Sequence, residues 1–204
     1  MPVALTTESD CPSLEAFLAW EQCQPERYER VGRVIRMMTG GTIDHNRIIR
    51  NLAEALGRGL QERDCEVFTS DVKVVSPAAD VMYPEVVVAC GPIAGKATKL
   101  EAPTVVIEVL SQSTAERDQG RKRWAYWSIA SLEHYVLIDQ DEPIVEVSSP
   151  GPDGSWRSVI HRGLEGRLRL EALGVEIGLD ELFARVVFAP SSPAEEAQAS
   201  RRSD

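Results

Sequence analysis

The chain has 204 residues, 43% of them hydrophobic and 26% charged, with a formal net charge of −10. That length supports one sizeable core without demanding a second, and no apolar run approaches the roughly 20 residues that cross a bilayer, so no membrane partner is expected. The acidic balance repels a phosphate backbone at long range, so any contact with nucleic acid has to rest on local basic patches.

The start, Met1 to Glu8, lacks the basic residues and apolar run of a secretory signal, which predicts a cytoplasmic address. Cys11, Cys23, Cys65 and Cys90 show no C-x-x-C spacing, so they are expected to be reduced and mostly buried rather than zinc ligands or a disulfide framework. Ser13 is placed to cap a short outer helix to about Glu21, with Leu14, Phe17, Leu18 and Trp20 as its apolar residues. Val31 to Thr39 reads as a strand broken by Gly40-Gly41. Ile48, Leu52, Leu56 and Leu60 recur every four residues, which predicts a long helix starting near Thr42 or Asp44.

Four strand-like stretches follow: Glu66 to Ser70, Val72 to Val75, Met82 to Cys90 and Pro103 to Ser111. Their short connections suggest an antiparallel meander. A second helix is expected from about Thr114 to Ile129, then a strand from His134 to Asp139. That order implies a crossover and a parallel pair, hence an α/β (α+β) fold with a mixed sheet. Ile144 to Ser148, Ser155 to His161 and Arg167 to Leu170 read as further strands, and Asp180 as the cap of a last short helix. Residues 1–12 are read as an extension, 13–189 as the domain, and 190–204, with few large apolar groups, as a disordered tail.

Two acids stand out because they lie inside valine-rich runs: Glu85 in Tyr83-Pro84-Glu85-Val86-Val87-Val88, and Glu108 in Val105-Val106-Ile107-Glu108-Val109. A carboxylate there is expensive to desolvate unless a cation shares it. Side chains alternate along a strand, so Glu85 shares a face with Val87 and Ala89, and Glu108 with Val106 and Leu110. If the two strands are neighbours, both acids can bind one Mg²⁺, with water and a substrate phosphate completing its coordination. The chemistry this predicts is metal-assisted phosphodiester hydrolysis.

Lys122 has two readings. With Asp118 four residues earlier it makes a surface ion pair worth about 0.3–0.5 kcal/mol; alternatively it reaches back to the carboxylates to stabilise developing negative charge. Arginines cluster at Arg27, Arg30, Arg33 and Arg36, at Arg47 and Arg50, and at Arg117, Arg121 and Arg123. Their simplest role is a solvated face, and only the last set lies where a substrate phosphate would pass. His45 is read as a capping or packing residue. Ser111, Ser113 and Thr114 carry no G-x-S-x-G nucleophile elbow, and Ser113 or Thr114 is read as a helix cap; Trp124 and Trp127 are read as core or interface aromatics.

Met38-Thr39-Gly40-Gly41-Thr42, His45-Asn46-Arg47-Ile48, Tyr83-Pro84-Glu85, Glu108-Val109-Leu110-Ser111, Asp118-Gln119-Gly120-Arg121-Lys122 and Ser131 to Asp139, in that order, resemble the Uma-two family of putative restriction endonucleases. The resemblance covers roughly residues 13 to 185. It implies the PD-(D/E)XK nuclease superfamily: a restriction-endonuclease-like mixed central sheet flanked by helices, Mg²⁺ or Mn²⁺ as cofactor, and DNA as substrate. Glu85 then matches the aspartate of the PD element, Glu108 the second acid, and Lys122 a lysine moved from strand to helix. A homodimer would serve to cut both strands.

This chain departs from the pattern in two places. Glutamate replaces the usual aspartate at 85, and the usual Y-E-L-x-D-G-E segment is shortened to Tyr28-Glu29-Arg30-Val31-Gly32-Arg33, which leaves Glu29 as a further acid. The alternative expectation is a catalytically silent binding or scaffolding module that keeps the fold.

Overall fold

The computed structural model describes residues 12–110 and 118–188. The cap expected at Ser113 or Thr114 and the tail from Pro190 lie outside them. Helix α1, Leu14–Glu21, starts where expected: the Ser13 hydroxyl accepts from the amide of Ala16 at 3.2 Å. Its Phe17 packs with Ile35, Val75 and Val81.

Strand β1 (Tyr28–Val31) and strand β2 (Val34–Met37) form a hairpin where one strand from Val31 was expected. Gly32 and Arg33 both take left-handed backbone, φ 53° and 71°, which makes a two-residue turn whose twist matches the flanking strands. The expected strand Val31 to Thr39 has Gly32 and Arg33 inside it as extended backbone, and their left-handed φ angles are what divide it.

Helix α2, Ile43–Gly59, is capped by the Thr42 hydroxyl, which accepts from the His45 amide at 3.1 Å. Its Ile48, Leu52 and Leu56 are fully buried. Beyond it lie β3 (Cys65–Thr69), β4 (Lys73–Val75), β5 (Val81–Met82), β6 (Val86–Cys90), β7 (Lys99–Leu100) and β8 (Val105–Leu110). They do not form the single meander expected. β3, β6 and β8 join a six-stranded sheet, whereas β4, β5 and β7 join β1 and β2 in a five-stranded one. The chain leaves the first sheet at Ser70, whose φ of 51° breaks the extended run.

Helix α3, Asp118–Trp127, connects β8 to β9 (His134–Asp139), and these two strands pair in parallel with Glu108 opposite Leu137, as the crossover predicts. β10 (Ile144–Pro150) and β11 (Trp156–Arg162) complete the sheet in the order β11-β10-β9-β8-β6-β3. β12 (Arg167–Leu170) and β13 (Val175–Gly178) make a separate hairpin, followed by α4, Leu179–Leu182. Asp180 does not cap α4: Gly178 holds the cap position with no side-chain bond, and Asp180 lies within the first turn.

The central mixed sheet is therefore covered on both faces. Val105, Ile107 and Val109 point to α2, while Val87, Val106 and Leu137 point to α3 and the five-stranded sheet. This alternation puts Glu108, one residue along from Ile107, on the α3 side. Among the described residues no helix is long and apolar enough to cross a membrane.

The cysteine expectation is corrected. Cys65 and Cys90 are disulfide-bonded, because the antiparallel register of β3 and β6 sets them directly opposite; Cys23 is free and exposed. A closed loop of 25 residues is expected to stabilise by about 3 kcal/mol. Cys90→Ser should lower the urea midpoint accordingly, and reduction of the wild type should match it. Equal midpoints before and after reduction would refute this.

Candidate functional site

Glu85 is not inside a strand. It occupies a bend between β5 and β6, one residue before Val86. The antiparallel register pairs Val86 with Ile107, so continuing it by one residue sets Glu85 opposite Glu108 on the same face. The two carboxyl groups lie close enough to perturb each other's charge, and Glu85 Oε2 accepts from the Val109 amide at 3.3 Å. The convergence expected from strand alternation is present, but a bend delivers one of the acids.

Helix α3 lies over this pair. Lys122 Nζ sits 3.2 Å from Glu108 Oε1 and 2.8 Å from Glu29 Oε1, and the Tyr126 hydroxyl donates to Glu108 Oε1 at 2.8 Å. Lys122 and Tyr126 are four residues apart and so share one helix face. Glu29 arrives from β1, held by the Tyr83 amide at 2.9 Å. The interior partners of Lys122 are thus two carboxylates from two different sheets.

The site is largely sealed. Side-chain exposures are 14% for Glu29, 8% for Glu108 and 19% for both Glu85 and Lys122. Burial, then the neighbouring Glu108, pushes the Glu85 carboxyl well above the usual range. Burial pushes Glu29 up as well, against the pull of Lys122. For Glu108, burial works upward, but the Lys122 charge and bonds from Glu85, Tyr126 and Lys122 outweigh it and hold the group below its ordinary value. Lys122 is itself held well above the usual lysine range: burial works downward, but Glu108, Glu29 and Glu85 prevail.

His45 reaches the same centre from the N-terminus of α2, with Nε2 3.7 Å from Glu85 Oε1. Among the described residues its buried Nδ1 has no hydrogen-bond partner. Burial lowers its pKa, against opposing pulls from Gln140 and Glu108. Gly41 makes room for the ring, since a Cβ there would stand 2.6 Å from His45 Cδ2. The capping role read for His45 belongs to Thr42.

Among the described residues no group of three or more His, Cys, Asp or Glu side chains is arranged as a ready-made metal cage. Two adjacent carboxylates nevertheless fit the oxygen preference of Mg²⁺, which takes one or two protein carboxylates and completes its shell with water and phosphate.

A model of the Uma2 family, described as "Putative restriction endonuclease", matches residues 14–180. The chain belongs to the Uma2 family. Two Synechocystis sp. PCC 6803 proteins resemble it: slr1290, described as uncharacterized, is 30% identical over 86% of this chain and 93% of its own length. The other, sll1609, described in the same way, is 31% identical over 69% of this chain and 81% of its own. A crystal structure from Anabaena variabilis, described as a putative nuclease belonging to DUF820, shares the fold with a TM-score of 0.70 and 17% identity. That match covers 86% of this chain and 99% of the other.

In this Uma2 chain Glu85, Glu108 and Lys122 come together as expected, with Glu29, Tyr126 and His45 added by the fold. The i,i+4 spacing of Lys122 and Tyr126 was visible, but nothing in it told which carboxylate they would meet. Arg27, Arg47, Arg50 and Arg123 follow the plain reading, paired with Asp71, Asp44, Glu54 and Glu146. Arg117 lies outside the described residues.

Proposed function

We propose that this Uma2 protein is a metal-dependent endonuclease that hydrolyses DNA phosphodiester bonds, with Mg²⁺ or Mn²⁺ held by Glu85 and Glu108. One observation carries the reading: two carboxylates from adjacent chain segments touch beneath a buried lysine, a costly arrangement that a purely structural network would replace with apolar packing. A bound divalent cation would supply a water of lowered pKa and a counter-charge for the scissile phosphate.

The chain's own groups do the rest. Lys122 keeps its full charge and stands where negative charge develops on the phosphate. Tyr126 fixes the orientation of Glu108, and Glu29 fixes Lys122. His45, neutral at ordinary pH and next to Glu85, is placed to take the proton that Glu85 gives up.

The test is cleavage of plasmid DNA with and without Mg²⁺ or Mn²⁺ by the wild type, Glu108→Ala and Lys122→Ala. Equal activity in all three, or none in the wild type, would discard the assignment. The scaffold alternative expects no saturable Mn²⁺ site in calorimetry. Since protons compete with a cation for Glu85, whose carboxyl burial holds well above its usual range, Mn²⁺ affinity should increase as pH rises through that raised range, with proton release seen as a buffer-dependent enthalpy. A flat profile would contradict a raised carboxyl at the cation site.

A further inference from the structure

Trp124 is the most exposed aromatic side chain among the described residues, at 69%. Of the two roles read for it, core or interface aromatic, its exposure excludes the core. Its indole is braced from behind: Trp127 meets it edge-on at 5.3 Å, and Trp127 in turn lies flat on Trp156, 4.9 Å between centroids with planes 1° apart. The Arg123 guanidinium sits 5.6 Å from the Trp127 ring. A ring held this firmly loses little freedom when something stacks on its open face.

Trp124 lines a groove between α3 and the turn of the β1–β2 hairpin, with Val31, Gly32, Arg121, Ala125, Ser128 and Asp80, whose carboxylate is bound to the Gly32 amide and the Ser76 hydroxyl. Val31 also lines the neighbouring recess that holds Glu29, Arg36 and Lys122. The groove and the candidate catalytic centre therefore adjoin through the Val31 side chain, with Trp124 about 3 Å further along the helix axis than Lys122 and on the outer side of the helix, roughly 160° round from it. Arg121 lies across the hairpin turn, so close that a Cβ at Gly32 would stand 3.2 Å from its guanidinium. In a chain of net charge −10, Arg121 lines the groove beside Asp80, and Arg36 lines the adjoining recess beside Glu29.

We propose that Trp124 is a stacking platform for an unpaired nucleobase next to the scissile phosphate, with the rim arginines following the strand's phosphates. The proposal rests on the nuclease reading and narrows it to a substrate that is single-stranded or locally opened, because a base paired inside a duplex cannot present its face to a side chain on the protein surface. An aromatic face beside cationic side chains is the combination that binds single strands without reading their sequence.

The test is fluorescence anisotropy in EDTA with a labelled single-stranded oligothymidylate and a duplex of equal length. Trp124→Ala should bind the single strand roughly 5- to 150-fold more weakly, Trp124→Phe should keep most of the affinity, and the duplex should respond less. Because the indole is exposed, the urea midpoint of Trp124→Ala should match the wild type. Wild-type affinity in Trp124→Ala, or no saturable binding of the single strand by the wild type, would overturn the proposal. So would quenching of Trp124 that follows protein concentration without oligonucleotide, which would mean that a second copy covers the ring. Trp124-dependent binding without any metal-dependent cleavage would sink the nuclease reading and leave this one standing.

Discussion

Lys122→Met is expected to destabilise the fold by about 3–5 kcal/mol near neutral pH, with much of that loss recovered in acid. The side chain is about the right volume, so the effect is electrostatic. Lys122 sits 2.8 Å from Glu29 and 3.2 Å from Glu108, and both acids are too buried for water to replace it. In the wild type, Glu108 lies below its ordinary value. A depressed carboxyl contributes stability above its unfolded pKa and loses it as pH falls. Without the ammonium, burial would push the already raised Glu29 further up and lift Glu108 above its unfolded value, so the folded variant would bind more protons than the unfolded chain. Its stability then falls as pH rises. The gap between the two proteins should widen from about pH 5 to about pH 7.5 in urea melts; a pH-independent gap would show that Lys122 acts by packing alone.

The parts of this site that the sequence disclosed are those set by local pattern. An acid inside a valine run is legible because desolvation is costly wherever the run folds, which exposed Glu85 and Glu108 together. The apolar stripe Ile48, Leu52, Leu56 gave α2, and the strand, helix, strand order gave the parallel β8–β9 pair. What stayed hidden depends on register between distant segments. Glu29 enters the site because β1 joins the second sheet beside β5, and Cys65 meets Cys90 because β3 and β6 pair without a slip. Neither follows from spacing along the chain.

Some of the misses had a signal. Val31-Gly32-Arg33-Val34 carries apolar residues on both sides of a two-residue turn, and treating it as a hairpin would have kept Glu29 on a strand facing Lys122. Gly41 beside His45 was read as a strand breaker, yet its bare Cα is what lets the imidazole approach Glu85. The buried set Glu21, Lys73 and Tyr83 had no comparable cue. Glu21 accepts from Lys73 Nζ at 2.7 Å and from the Tyr83 hydroxyl at 2.7 Å. It ties α1 to the segment that carries Glu85, a role only the tertiary fold confers.

Glu85→Gln separates function from stability more sharply than any other change at this site. Burial and Glu108 hold the Glu85 carboxyl well above its usual range, and glutamine puts an uncharged group of the same shape there, its oxygen able to accept from the Val109 amide as Glu85 Oε2 does at 3.3 Å. A raised carboxyl pKa costs stability increasingly as pH climbs above the unfolded value, and glutamine removes that cost. The variant should therefore melt at or up to a few degrees above the wild type near neutral pH. The same change deletes a negative oxygen from the proposed cation site, so saturable Mn²⁺ binding should vanish and plasmid cleavage should fall on the order of 100-fold or more. A variant that is as stable as the wild type but silent in both assays marks a group kept for its charge on demand rather than for packing. Loss of stability with retained Mn²⁺ binding would place the cation elsewhere and dismantle the proposed pair.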